Sequence, residues 1–167
     1  YEVPLGTSFK DLLAIAGGLR GKEPLKAVIP GGSSSCILPS EIMYNILMDF
    51  NSLSSVGSML GSGAVIVLDN LTCMVNVLFR IVKFYAEESC GQCTPCREGT
   101  AWMYDIVKRI IVGDGLISDL DLLVSISNNI IGNTICALGD AAAVPVKGIL
   151  HFFRKELEDY IRCKTKK

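Results

Sequence analysis

Residues 88–100 read Glu88-Ser89-Cys90-Gly91-Gln92-Cys93-Thr94-Pro95-Cys96-Arg97-Glu98-Gly99-Thr100, a Cys-x-x-Cys-x-x-Cys run set between two helical patterns. That spacing lets three thiolates bend toward a common point. A cubane cluster has four corner irons and needs a fourth ligand from another direction, for which the distant Cys136 is the natural candidate. Zinc is the competing ion, but four-cysteine zinc sites usually come as two Cys-x-x-Cys pairs. Here the second pair is missing and the first is a triplet. Buried or disulfide-linked cysteines are the plain alternative. Thr94-Pro95 reads as an N-cap and first helical position, which puts Cys96 in the first turn of a helix. Free N–H groups and partial positive charge at that end favour an anionic centre. Gly91 leaves the backbone room to fold tightly, and Arg97 offers either charge compensation or an ion pair with Glu87 or Glu88. Gly132 to Gly139 reads as a loop, glycine at both ends, that delivers Cys136.

Outward from the cysteines the pattern is helical on both sides. Val75, Leu78, Phe79 and Val82 recur at helix-face spacing before them, with Tyr85 extending the stripe. After them Trp102 or Met103, Ile106, Val107 and Ile110 mark a second helix, closed by Gly113-Asp114-Gly115. Ser118 and Asp121 open a third, with Leu120, Leu123, Val124 and Ile130. A fourth runs from about Pro145 to Ile161, burying Val146, Ile149, Leu150, Phe153, Leu157 and Ile161. Four amphipathic helices with short links pack most simply as a four-helix bundle. The first seventy or so residues are mixed α/β. Ser8 and Asp11 start a helix that Gly17-Gly18 ends, and Lys26–Ile29 is a short strand stopped by Pro30-Gly31-Gly32. Ala64–Leu68 is a strand whose lack of alternation predicts burial on both faces. The expected fold class is therefore α+β, with one domain over residues 1–72 and a helical, cluster-binding domain over 73–167.

The totals narrow the function classes. Net charge is −1 over 167 residues, which calls for neither nucleic acid nor an acidic membrane surface. Half the residues are hydrophobic and mean hydropathy is +0.42, as expected of a well-buried helical core or of faces set against other subunits. Two uncharged stretches, 51–68 and 122–139, are interrupted by Ser and Gly or by Asn128, Asn129 and Asn133, so neither is the ~20-residue apolar span a bilayer requires. No signal peptide is visible and no Met begins the sequence, so a piece of a longer chain is expected. Seven cysteines with no secretion signal suit a reducing compartment and a metal site better than a disulfide framework.

Other residues take plainer readings. Cys36 and Cys73 are expected to be small buried hydrophobes and Cys163 an exposed thiol in a lysine-rich, fraying tail. His151 is expected to be a packing or surface residue, and Trp102 and the other aromatics belong to the core. Glu156, Glu158 and Asp159 form a solvated acidic face. Gly31–Ser35 is a turn, because no helix start or P-loop lysine follows it.

Residues 88–100, together with Thr134-Ile135-Cys136-Ala137-Leu138-Gly139-Asp140, closely resemble the NADH-binding flavoprotein subunit of respiratory complex I. Lys26–Ser35, Met48-Asp49-Phe50 and Gly61–Asp69 resemble that subunit's β-grasp, or SLBB-like, domain, and Phe152–Glu156 its last helix. The resemblance implies an oxidoreductase of the respiratory chain, an NADH dehydrogenase that passes electrons from FMN through a [4Fe–4S] cluster toward quinone. Cys90, Cys93, Cys96 and Cys136 would be the ligands, with Ala137-Leu138 approaching the flavin from the cluster side. FMN and NADH would be bound by a preceding glycine-rich part outside these residues, so the 167 residues alone are not expected to oxidise NADH. The implied partners are other peripheral-arm subunits, especially the small [2Fe–2S] subunit, with no nucleic acid and no membrane insertion. The implied location is the cytoplasmic face of the bacterial inner membrane or the mitochondrial matrix side. Diaphorase subunits of NAD-linked hydrogenases and some formate dehydrogenases share the cysteine pattern. A hydrogenase-type chain is expected to carry Cys-Gly-Leu-Gly and then an Ala-Pro-Asn-Pro-like run. Cys136-Ala137-Leu138-Gly139-Asp140-Ala141-Ala142-Ala143 favours the respiratory branch. A zinc-bound docking module is the alternative of a different class.

Overall fold

The computed structural model describes residues 1–165, and the chain divides into two compact units between Thr72 and Cys73. The lysine-rich end lies in part, at residues 166 and 167, outside the described residues.

The first unit is built on a three-stranded sheet of order β2-β1-β3, with β1 Leu25–Ile29, β2 Leu38–Pro39 and β3 Ile66–Asp69. Both neighbours run antiparallel to β1, and Val28 pairs with Leu38 on one side and Val67 on the other. Three short helices, α1 Phe9–Ile15, α2 Ser40–Met43 and α3 Phe50–Ser55, accompany the sheet. Ser8 caps α1 as its sequence suggests, since its Oγ accepts from the Asp11 amide at 3.1 Å and donates to the Asp11 carboxylate at 2.7 Å. Phe9, Ala27, Val28, Ile37, Leu38, Met43 and Leu53 form the core. Contrary to expectation, the Ala64–Leu68 strand is not buried on both faces. β3 is an edge strand and Ile66 is 42% exposed, because β1 takes both ladders and occupies the centre.

The Gly31–Ser35 segment is a closed turn. Ser35 is fully buried, and its Oγ accepts from the Gly31 amide at 3.1 Å and donates to the Gly32 carbonyl at 2.9 Å. Its polar groups therefore face inward. A Cβ on Gly31 would stand 2.3 Å from the Met59 carbonyl oxygen, so the backbone of residues 59–61 crosses where only glycine fits.

The second unit contains α4 Met74–Glu88, α5 Thr94–Val112, α6 Ser118–Ile130 and α7 Leu138–Thr165. Helix α5 packs on α4, α6 and α7, and α7 also packs on α4 and α6. Leu78, Val82, Met103, Val107, Ile110, Leu120, Leu123, Ile130, Val146, Ile149 and Leu157 are buried among them. Close approach of α5 and α6 depends on Gly99, where a Cβ would fall 2.6 Å from Ile130 Cδ1. Gly113 ends α5 at φ 103°, with its amide and that of Asp114 returning to the last turn.

Several expected details differ. Cys93, not Thr94, occupies the N-cap of α5, and Thr94 is already helical. Ser118 likewise is the first helical residue of α6 rather than its cap. No side chain caps α6; Asp119, in its first turn, reaches back to accept from the Leu116 amide at 2.8 Å while pairing with Arg109 of α5. Helix α7 begins at Leu138, before Pro145, and bends at Phe153, whose φ of −125° is not helical. Gly139 is thus a helical residue, not the far end of a loop. Met103 takes the core position and Trp102 is 56% exposed, since the two differ by one step around the helix. Glu156 does not join a solvated face: its carboxylate accepts from the Met74 amide at 2.9 Å and caps α4. No helix among the described residues is long and apolar enough to cross a membrane.

Candidate metal centre

Helix α4 stops at Ser89, whose amide still reaches the Tyr85 carbonyl at 3.1 Å while its backbone turns extended. Gly91, at φ 77°, then reverses the chain, a conformation that side chains with a Cβ resist. Cys93 closes the loop by accepting from the Arg97 amide at 2.8 Å through its carbonyl, the first bond of α5. Cys96 therefore lies in the first turn of α5, buried, and its own carbonyl accepts from Thr100 Oγ1 at 2.8 Å. Arg97 holds the loop from outside. Its Nη1 donates to the Gly91 carbonyl at 2.7 Å and its Nε pairs with Glu98 at 2.9 Å. The expected partners were Glu87 or Glu88, but Glu87 faces Lys83 one turn back on α4, at 3.6 Å.

The second loop joins α6 to α7 and carries Cys136 two residues before α7. Gly132 turns at φ 74°, and its amide donates to the Asp140 carboxylate at 2.8 Å, which ties the start of the loop to the first turn of α7. Thr134 Oγ1 donates to the Cys136 carbonyl at 2.9 Å. The Thr134 side chain also sits where a Cβ of Gly139 would be, at 2.6 Å, so the helical glycine makes room for it.

The two loops meet through a backbone-to-sulfur hydrogen bond, in which the Ile135 amide donates to Cys93 Sγ at 3.4 Å. Ser89 Oγ lies 3.3 Å from Cys96 Sγ on the other side. Cys93 is half-buried, and Cys90 and Cys136 are exposed. None of the seven cysteines is joined in a disulfide. Among the described residues, no three His, Cys, Asp or Glu side chains are already gathered closely enough to hold a metal ion. The donor chemistry nevertheless suits an iron–sulfur group. Soft sulfurs come from two loops that touch, a backbone amide donates to one of them and a hydroxyl able to donate lies beside another, as suits an anionic centre.

The remaining expectations resolve simply. Cys36 and Cys73 are half-buried, not fully buried, and burial pushes the Cys36 thiol pKa up. Cys163 is exposed. His151 is exposed and set edge-on to Phe152 at 4.5 Å, away from the cysteines in sequence and in role. Trp102 lines an open apolar cleft with Thr94, Pro95, Gly99 and Ile126, directly beside the start of α5. Sequence reading missed Ser89, Thr134 and the Ile135 amide as contributors. Their signal was nearness to a cysteine within the stretches quoted for the resemblance, which does not say what each contributes.

A family model described as the NADH-ubiquinone oxidoreductase-F iron-sulfur binding region matches residues 76–160. Over 163 residues the chain is 49% identical to the F subunit of the NADH-quinone oxidoreductase of Rickettsia akari (strain Hartford), covering 96% of this chain and 38% of that protein. The corresponding protein of Rickettsia bellii (strain OSU 85-389) is 47% identical, with 96% and 39% covered. The chain thus spans less than half the length of these relatives. A solved NAD+-reducing [NiFe]-hydrogenase in the H2-reduced state contains a chain similar in structure at a TM-score of 0.84 and 28% identity. The match covers 96% of this chain and 27% of that one.

Proposed function

This chain belongs to the family of the NADH-ubiquinone oxidoreductase-F iron-sulfur binding region, and from that premise we propose that it is the electron-transfer portion of an NADH-quinone oxidoreductase flavoprotein subunit. Cys90, Cys93, Cys96 and Cys136 hold its [4Fe–4S] cluster. The observation that carries this reading is the Ile135 amide bonded to Cys93 Sγ, which ties the Cys136 loop to the cysteine triplet. Bound at these thiolates, a cluster supplies one-electron storage and release.

The protein's own contribution is positional and electrostatic. The N-terminal turn of α5 brings its free amides and partial positive charge to Cys96. Gly91, Arg97, Gly132 and Asp140 hold the two loops in shape. Burial of Cys96 shields one side of the site from water, while the exposed Cys90 and Cys136 leave the other open toward a partner surface. In this reading residues 1–72 are a β-grasp, SLBB-like docking domain and residues 73–167 a four-helix bundle. NADH and FMN are bound by the part of the relatives that lies outside this span, and electrons leave toward quinone through other peripheral-arm subunits, the small [2Fe–2S] subunit among them. The assembly sits peripherally at the cytoplasmic face of the bacterial inner membrane or its mitochondrial equivalent.

A diaphorase subunit of an NAD-linked hydrogenase is the second reading, favoured by the structural similarity to the hydrogenase chain. The 49% identity to a respiratory subunit, against 28% to the hydrogenase, weighs toward the first. Iron and zinc content with a reduced-state EPR spectrum on anaerobically reconstituted chain is the test. Close to four irons per chain and the spectrum of a reduced [4Fe–4S] centre are expected. One zinc and a silent spectrum would overturn the relay in favour of a structural docking module.

A further inference from the structure

The end of α4 places a hydroxyl against the one buried cysteine of the site. Ser89 Oγ is 3.3 Å from Cys96 Sγ, and the same oxygen accepts from the Gly91 amide at 3.4 Å. A serine hydroxyl has one proton to donate. With the Gly91 N–H directed at its oxygen, that proton is free to point at the sulfur. When Cys96 is a thiolate it has no proton of its own, so the direction of the bond is settled: Gly91 N–H to Ser89 Oγ, and Ser89 O–H to Cys96 Sγ. Hydrogen bonds in series polarise one another, so the amide strengthens the hydroxyl's donation.

We infer that Ser89 is a positioning and tuning residue for the cluster, its hydroxyl donating to the Cys96 sulfur and raising the reduction potential of the group bound there. The inference rests on the cluster assignment above and adds to it a residue that is not a ligand. Three features of the fold hold the donor in place. The Ser89 amide is anchored in the last turn of α4. Gly91, at φ 77°, aims its N–H back along the loop. Arg97 Nη1 clamps the Gly91 carbonyl at 2.7 Å, so the glycine cannot swing away without breaking a charge-assisted bond. The acceptor is equally fixed, because Cys96 is buried in a helical turn whose carbonyl is bonded to Thr100. A hydrogen bond to a ligating sulfur is stronger when the site carries more negative charge, so it favours the reduced state.

The experiment compares wild-type chain, Ser89→Ala and Ser89→Thr after anaerobic reconstitution, with iron content measured first and the potential then read by EPR-monitored redox titration. In Ser89→Ala we expect four irons retained and reduction made several-fold to tenfold less favourable, the upper end being about 59 mV for a one-electron couple. Ser89→Thr keeps a hydroxyl and restores the wild-type potential. An intact cluster with unchanged potential in Ser89→Ala overturns the inference and leaves the cluster assignment standing. Loss of iron in Ser89→Ala also overturns it, in favour of a purely structural role for the serine. Absence of iron from the wild-type chain sinks the underlying cluster reading instead.

Discussion

Asp49 shows how one side chain makes a unit sensitive to acid. Its carboxylate caps α3, accepting from the Ser52 amide at 2.7 Å and from Ser52 Oγ at 3.0 Å, and the Ser52 amide is the main cause that holds its pKa below the usual carboxylate value. A carboxyl depressed on folding contributes stability above its unfolded pKa, near ~3.9, and loses it as pH falls through the folded value. Exchange of the Ser52 amide with solvent should therefore accelerate below about pH 4, beyond the intrinsic pH trend of an open amide. Asp49→Asn still caps, since Asn is as good there as Asp, and should remove that acid limb while leaving neutral behaviour near wild type. An unchanged acid limb in the Asn variant would assign the titration to another group. Single residues were unevenly legible in the sequence. The cysteine spacing is a local property and stands out in a string of letters. Whether Trp102 or Met103 faces the core depends on one step of helix phase, and whether Glu156 is solvated depends on α4, 82 positions away.

Elements were legible where their signals are local and blurred where partners decide. The stop of α5 needs only Gly113, because a positive φ is a property of that residue. Edge placement of β3 follows from strand order, which a short apolar run cannot announce. The entry of α6 is the sharpest case. Asp119 is 3% exposed, satisfies the Leu116 amide and pairs with Arg109 across the α5–α6 turn, whereas the sequence pointed to Ser118. Arg109 is 46% exposed and can turn to water, so most of the pair's Coulomb energy is discounted. What Asp119→Ala loses is a buried acceptor that ties residue 116 to the first turn of α6, a cost of about 1–3 kcal/mol. Asp119→Asn keeps an acceptor for Leu116 and should lose less than half of that. Urea unfolding of the two variants checks the order. Equal losses would mean that charge pairing with Arg109, not the bond to the Leu116 amide, makes the larger contribution.

At the scale of the whole molecule the family was legible because the cysteine run and the stretches around it are specific, since neutral charge and an apolar composition fit many proteins. What the sequence could not supply was the meeting of two loops far apart along the chain, which exists only once α4, α5, α6 and α7 have packed. That geometry has an energetic consequence. All four proposed ligands belong to the unit that begins at Cys73, and they join the α4–α5 loop to the α6–α7 loop. A group bound by the folded arrangement and not by the open chain stabilises that unit in proportion to its binding free energy. Trp102 is the chain's only tryptophan and lies in the same unit, so its emission reports this unit's unfolding and not that of the sheet unit. Reconstitution should raise the Trp102-detected midpoint, each kcal/mol being worth roughly 4–8 °C in a unit of this size. Cys136→Ala should abolish most of the rise by cutting the link between the loops, and Cys163→Ala, an exposed thiol away from both loops, should leave it intact. A full rise in Cys136→Ala would move the fourth ligand elsewhere. No rise in the wild type, with iron bound, would mean that the open chain holds the group as tightly as the folded unit does.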